Sequence, residues 1–217
     1  MVLQDATRDR SIPIAIHAPR IEPKRLVILS HGYAANRPGT YLRYSYLTKS
    51  LTEAGNAVVS IQHELPDDPL LAMKGNLREA RRPNWERGVE NIVHVLERIR
   101  TDRPEWASLP VLLIGHSNGG DMSLLFAELH PERIEAVITL DNLRMPLPRT
   151  SKPHIATIRA NDTTADSGVL PTDVERNTFG IRVVRQELCA HVEMDDRATE
   201  AQRAELSKLV LELIEGM

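Results

Sequence analysis

Residues Leu112–Asp121 read Leu-Leu-Ile-Gly-His-Ser-Asn-Gly-Gly-Asp. An apolar run suited to a buried strand passes straight into Gly115-x-Ser117-x-Gly119, and then into the polar start of an amphipathic segment. A strand that turns into a helix within so few residues needs a strained bend. Glycines two before and two after the serine remove side chains that would strike the neighbouring strand or the helix. This arrangement has the form of a nucleophile elbow. The alternative is that Ser117 is an ordinary helix N-cap, because serine is a favoured cap at a strand-to-helix junction.

With 217 residues, 41% hydrophobic and 26% charged, residues 1–217 are expected to form a single domain with a sizeable core. The net charge of −3 is spread along the chain without a basic stripe, so no nucleic-acid partner is expected. Arg78, Arg81 and Arg82 share their segment with Glu79 and Glu86, as on a solvated helix face. No apolar run approaches the roughly 20 residues that span a bilayer, and the N-terminus lacks the apolar stretch of a signal peptide. A cytoplasmic protein without membrane attachment is expected. Cys189 is the only cysteine, which leaves no intrachain disulfide and no thiolate zinc site, and it reads as a small buried apolar residue.

Strands and helices alternate along the chain, the pattern of an α/β fold with a mostly parallel sheet covered on both faces. The apolar strand candidates are Leu26–Leu29, Ala57–Ile61, Val111–Ile114, Ala136–Leu140, Ile155–Ile158 and Ile181–Val184, whose near-continuous apolar character indicates burial on both faces. Ile12–His17 suggests an antiparallel edge hairpin. Trp85, Val89, Ile92, Val93, Leu96 and Ile99 recur at helical spacing between Pro83 and Thr101, and Leu206, Leu209, Val210, Leu213 and Ile214 mark a C-terminal helix. These stripes face the sheet. No repeat, low-complexity stretch or linker is visible.

In an open α/β sheet the reacting groups collect at the carboxyl ends of the strands. His130 stands where a helix stops, and His154 starts a strand at the wrong end of the sheet. His191, in a loop between the last strand and the last helix, occupies the place of a general base. A serine hydroxyl is a poor nucleophile until an imidazole takes its proton. The imidazole in turn needs a carboxylate to hold its tautomer. Asp141 directly follows one strand, Asp162 follows the next, and Asp166 stands slightly later; each also reads as an ordinary loop aspartate. An oxyanion hole needs backbone N–H groups. The amide of Asn118, after the serine, supplies one, and Leu29-Ser30-His31-Gly32-Tyr33 places the amide of Tyr33 as the other.

These residues resemble the α/β-hydrolase superfamily, and within it the platelet-activating-factor acetylhydrolase-like and dienelactone-hydrolase-like serine esterases. Leu26 to Tyr33 is similar to the oxyanion strand and loop of that group, Val58 to His63 to its next strand, and Gly115 to Gly120 to its elbow. Thr139-Leu140-Asp141, followed by Met145-Pro146-Leu147, is similar to the stretch carrying the acid in the acetylhydrolases, and this resemblance ranks Asp141 before Asp162. His191 with Asp195 behind it resembles the family's base and its trailing acid. The chain departs from dienelactone hydrolases in having serine rather than cysteine at the elbow. It is also much shorter than the acetylhydrolases, so their phospholipid substrate is not implied.

Only Asn142–Ser151 separates Asp141 from the next strand segment, too short for a cap domain, so the site is expected to be shallow and open. The stretch His63–Pro83 is the longest connection without clear periodicity and is a candidate mobile rim, with Leu70, Leu71 and Met73 either lining an acyl pocket or anchoring the loop. Neither His63-Glu64 nor His191-x-Glu193 completes a zinc motif, and no phosphate-binding G-x-x-x-x-G-K-[ST] loop occurs. The expected chemistry is a Ser117, His191 and aspartate hydrolysis of a small acyl ester without metal or cofactor. A thioesterase or amidase, or a non-catalytic ligand-binding protein on a hydrolase scaffold, are the alternatives.

Overall fold

The inner strand candidates of the sequence become the middle of one eight-stranded sheet. A computed structural model describes residues 1–217. Its elements, in chain order, are β1 (Val2–Asp5), β2 (Arg10–His17), β3 (Leu26–Ser30), α1 (Ser45–Glu53), β4 (Ala57–Ile61), α2 (Leu77–Asp102), β5 (Val111–His116), α3 (Asn118–Leu129), β6 (Ala136–Leu140), β7 (His154–Arg159), α4 (Asp173–Phe179), β8 (Arg182–Arg185) and α5 (Glu200–Glu215). The strand order is β1-β2-β4-β3-β5-β6-β7-β8. β1 and β2 pair antiparallel, β2 runs antiparallel to β4, and every other neighbouring pair is parallel. This is the α/β-hydrolase fold, with no cap domain between β6 and β7.

Every residue of β3, β4, β5 and β6 is buried. Successive side chains of a strand point to opposite faces, and the two faces carry separate cores. Leu26 and Ile28 pack with α2 and α3 residues such as Trp85, Ile92 and Phe126, whereas Val27 and Leu29 pack with α1 and α5 residues such as Leu47, Leu51, Leu206 and Val210. No helix is long and apolar enough to cross a membrane.

β4 lies on one side of β3 and β5 on the other, so the chain reverses its direction of travel across the sheet at β3. The carboxyl ends of β3 and β5 are therefore adjacent, with Ser30 opposite Gly115, and open the crevice expected of such a switch point.

Several elements differ from the sequence expectation for local reasons. α2 begins at Leu77 and carries Pro83 inside it. Pro83 lies past the first turn and gives up one bond to the Glu79 carbonyl, but the helix continues through it, carried by the buried stripe that begins at Asn84 and Trp85, so Pro83 does not set the boundary. α1 does space Leu47 and Leu51 one turn apart and buries both, but its nine residues offer only a short stretch in which to read a period; α4 buries no residue and is defined instead by the Thr172–Glu175 capping box. β8 is an edge strand with Arg182 and Arg185 exposed, not a strand buried on both faces.

The stretch proposed as a mobile rim is shorter and more tightly held than expected. Arg10 of β2 grips both carboxylate oxygens of Asp68 at 2.8 and 2.7 Å and also donates to the His63 carbonyl. Asp68 in turn accepts from the Leu65 amide at 2.7 Å, and its carbonyl accepts from Asn36.

Ile138 is fully buried in the centre of β6. Ile138→Ala is expected to cost about 2–5 kcal/mol, through lost burial plus an incompletely collapsed cavity. Urea unfolding checks this: the midpoint falls while the slope of the transition stays that of the parent.

Candidate active site

Ser117 follows β5 with φ 51° and ψ −119°. L residues rarely adopt such backbone, which costs on the order of 1–3 kcal/mol, and close packing enforces it. A Cβ on Gly115 would lie 2.3 Å from the Gly119 carbonyl oxygen, and a Cβ on Gly119 would lie 2.4 Å from the carbonyl oxygens of both Ser30 and His31. The first turn of α3 therefore rests directly on the backbone leaving β3. The Ser117 amide donates to the Leu140 carbonyl at 2.9 Å, tying the bend to β6. Ser117 does stand at the N-cap position of α3, but its hydroxyl makes no capping hydrogen bond.

That hydroxyl lies 2.9 Å from His191 Nε2, and His191 Nδ1 lies 2.6 Å from Asp141 Oδ2. A carboxylate only accepts, so Nδ1 carries the hydrogen, and a neutral ring presents Nε2 as acceptor to the serine. Asp141 is wholly buried and has φ 51°. Its Oδ1 faces Arg159 Nη2 at 2.7 Å and accepts from the Ala160 amide at 3.1 Å, while Oδ2 also accepts from the Thr163 hydroxyl. Burial pushes the carboxyl up. The bond from His191, the Arg159 cation and the Thr163 and Ala160 donors outweigh it and hold Asp141 below the usual carboxylate range.

The other aspartates take different places. Asp162 Oδ1 accepts from the backbone amide of His191 at 2.7 Å, so it holds the main chain of that residue rather than its ring. Asp166 pairs with Arg144. Asp195 is buried and accepts from the amide and Nε of Arg197, at 2.9 and 2.8 Å. His154 begins β7 at the far end of the sheet, and His130 follows α3 with its ring beside Phe126. Cys189 is buried, and burial pushes its thiol up to about 11.

Tyr33 and Asn118 flank the serine. The Tyr33 amide makes no hydrogen bond within the protein. Asn118 is 2% exposed, and its side chain is saturated: Nδ2 donates to Glu64 at 3.0 Å and to Asn84 at 2.8 Å, while Oδ1 accepts from Trp85 Nε1 at 2.8 Å. Asn84 and Tyr44 do not stand out in the sequence, Glu64 figures there only in an incomplete zinc motif, and His116 only as a member of the elbow. Only the place of Glu64 just past β4, at the carboxyl edge of the sheet, offers a signal.

Two hollows meet at Ser117. One of about 130 Å³ is bounded by Tyr33, Thr40, Arg43, Tyr44, His116 and Arg197. The other, of about 230 Å³, is bounded by Leu71, Met73, Arg81, Asn118, Leu143 and Arg144. Leu71 is both a buried anchor and part of the wall, and Met73 lines the wall while largely exposed. Leu70 is 71% exposed and is not among the residues bounding either hollow.

The family model for serine aminopeptidase, S33, matches residues 21–141, which run from before β3 to the aspartate after β6. No curated protein sequence matches the chain. Among solved structures, it is similar to an alpha-beta serine hydrolase homologue from Coxiella burnetii, with 15% identity over 98% of this chain and 95% of that one and a TM-score of 0.67. A dienelactone hydrolase from Anabaena variabilis has 17% identity over 98% and 94% of the two chains, with a TM-score of 0.60. Est1E from Butyrivibrio proteoclasticus has 13% identity over 99% and 98%, with a TM-score of 0.65. At these identities the structures establish a shared fold.

Asp121, in the first turn of α3, accepts from the amides of Arg144 and Met145 at 3.1 and 2.8 Å and so holds the loop that follows Asp141. Burial raises its carboxyl to about 6 against these bonds. The native state then binds more protons than the unfolded chain between roughly pH 4 and 6, so this group's contribution to stability is present at low pH and is lost as pH rises through 6. Unfolding free energy measured from pH 5 to 8 is expected to fall by on the order of 1–2 kcal/mol from this source. In Asp121→Asn that part of the slope is expected to vanish.

Proposed function

The chain belongs to the serine aminopeptidase (S33) family of α/β hydrolases, and we propose that it hydrolyses a small carboxylic ester through an acyl-enzyme formed on Ser117, with residues 1–217 acting as one domain. The observation that carries the reading is the unbroken contact from Ser117 Oγ to His191 Nε2 at 2.9 Å and from His191 Nδ1 to Asp141 at 2.6 Å.

In this scheme Ser117 Oγ attacks the substrate carbonyl carbon as His191 Nε2 takes the hydroxyl proton. The carbonyl oxygen becomes an anion facing the amides of Tyr33 and Asn118. His191 then gives the proton to the leaving alcohol, the carbon–oxygen bond breaks, and Ser117 keeps the acyl group. A water molecule repeats the cycle: His191 removes its proton, its oxygen bonds to the acyl carbon, and the proton returns to Ser117 as the acid leaves. Asp141 holds the imidazole ring and stabilises its cationic form, while Asp162 holds the His191 backbone. Water is the only co-reactant the scheme requires. The hollows of about 130 and 230 Å³ that meet at Ser117 suit a small-molecule substrate.

Ser117→Ala is expected to lower p-nitrophenyl acetate turnover by about four orders of magnitude or more, with the fold retained by circular dichroism. Labelling of the parent by a fluorophosphonate at Ser117 separates an enzyme from a ligand-binding protein on the same scaffold, which would stay unlabelled. The family's description brings amide bonds into question. A matched set of ester, thioester and aminoacyl anilide substrates ranks the three activities, and the ester reading fails if an anilide or thioester is turned over faster than its ester counterpart.

A further inference from the structure

Behind the serine, a second chain of hydrogen bonds runs through groups that take no part in the proton transfers proposed above. The Gly32 amide donates to Tyr44 Oη at 2.9 Å, Tyr44 Oη lies 2.8 Å from His116 Nδ1, and His116 Nε2 lies 3.0 Å from the carbonyl oxygen of His191. Tyr44 is 2% and His116 4% exposed. The chain thus begins on the loop after β3 and ends on the residue that carries the base.

The partners settle where each proton sits. A carbonyl only accepts, so His116 Nε2 carries a hydrogen. Burial, reinforced by the neighbouring His191 ring, lowers His116 to about 3, so the ring is neutral and Nδ1 is a bare acceptor. Tyr44 Oη already receives the Gly32 N–H and gives its own proton to Nδ1. Burial pushes the Tyr44 phenol well up, which keeps that proton in place. Reversing any one link would strand a buried donor or acceptor, at about 1–3 kcal/mol for each group.

The Gly32 N–H belongs to the peptide before Gly32; the peptide after it, which carries the Tyr33 N–H, is held by its carbonyl. His31 Nε2 accepts from the His63 amide at 3.1 Å, so His31 Nδ1 carries the hydrogen and donates it to the Gly32 carbonyl at 2.8 Å. In a trans peptide the C=O and the next N–H point in opposite directions. Holding the Gly32 carbonyl inward therefore aims the Tyr33 N–H outward, toward the hollows that Tyr33 shares with Ser117. Gly32 also rests against the same imidazole, because a Cβ there would stand 2.7 Å from His116 Nδ1.

We propose that Tyr44 and His116 are positioning residues that hold Gly32, and through it the adjoining Gly32–Tyr33 peptide, in register with His191, so that the oxyanion donor and the base move as one unit. This rests on the serine-hydrolase reading. An oxyanion donor accelerates a reaction only if it is aimed before charge develops, and a misplacement of about 1 Å costs on the order of 100-fold. Tyr44 reaches no reacting atom; it acts through the Gly32 amide and the His116 ring.

The test compares the parent with Tyr44→Phe, His116→Gln and His116→Asn, using p-nitrophenyl acetate and an alkyl trifluoromethyl ketone whose adduct on the serine places an anion in the oxyanion hole. Tyr44→Phe is expected to lose about 10- to 100-fold in kcat and the same factor in ketone affinity, with KM changing less than about twofold. His116→Gln, whose amide reaches the Nε2 position but leaves Tyr44 without its acceptor, is expected to lose a similar factor. His116→Asn keeps an oxygen near the Nδ1 position and is expected to retain more ketone affinity than the glutamine variant. A purely structural role would lower the unfolding midpoint while leaving kcat and ketone affinity of the folded protein at parental values, and that result overturns the proposal. If Tyr44→Phe does not fold, the order of the two His116 variants decides, and equal or reversed affinities overturn it. Fluorophosphonate labelling of the parent tests the serine-hydrolase reading separately, so unaffected variants beside a reactive parent count against the coupling alone.

Discussion

The close seating of α3 on the end of β3 is the contact from which the site follows. Gly119 brings its backbone so near the carbonyls of Ser30 and His31 that no side chain fits between them. That approach holds Ser117 in its unfavourable backbone conformation, sets the serine beside the loop carrying Gly32 and Tyr33, and points the α3 amides at the same space. The parallel pairing of β3 with β5 supplies the base for it, since Ser30 and Gly115 are register partners at the carboxyl ends of these two central strands. The cost of the bend is met by two cores, one on each face, that hold the strands on either side of it.

The sequence reveals the fold most clearly where burial is complete. β4 and β6 have the bounds their apolar runs suggest, because all five residues of each lie inside. β1 and α4 escape notice because they bury too little to leave a pattern, α1 because it is short, and the first two turns of α2 because none of their residues is buried before Asn84. Within the site, position at a strand end singles out Ser117, Asp141 and His191, but it cannot separate Asp141 from Asp162. Both follow strands and both bind His191, one at the ring and one at the backbone. Only the three-dimensional path of the loop distinguishes them. Tyr44 and Asn84 stay hidden, and Glu64 shows only as half of an incomplete metal motif, because an isolated polar residue acquires meaning only from what is packed against it.

Polar groups buried around the serine are organised in two sets, one at the start of α3 and one at the loop after β3. Glu64, Asn84 and Trp85 hold the Asn118 side chain from the α2 face. Tyr44 and His116 hold Gly32 from the opposite direction. In a low-dielectric interior each such bond resists distortion more strongly than it would in water, and each lost partner is correspondingly expensive. Arg159 extends the pattern to Asp141, balancing a carboxylate that would otherwise be a buried, uncompensated charge.

The grip of Arg10 on Asp68 reaches further than the edge of the sheet. Asp68 orders the connection that carries Leu71, and the Leu71 amide donates to the Tyr33 hydroxyl at 3.1 Å, so the wall of the larger hollow is joined to Tyr33, which borders the same hollow as Ser117. A guest entering that hollow meets a preformed cradle, and little of its binding energy is diverted into organising the host. Exchange with solvent then depends on the guest's own fit and diffusion rather than on the slower swing of a hinged cover.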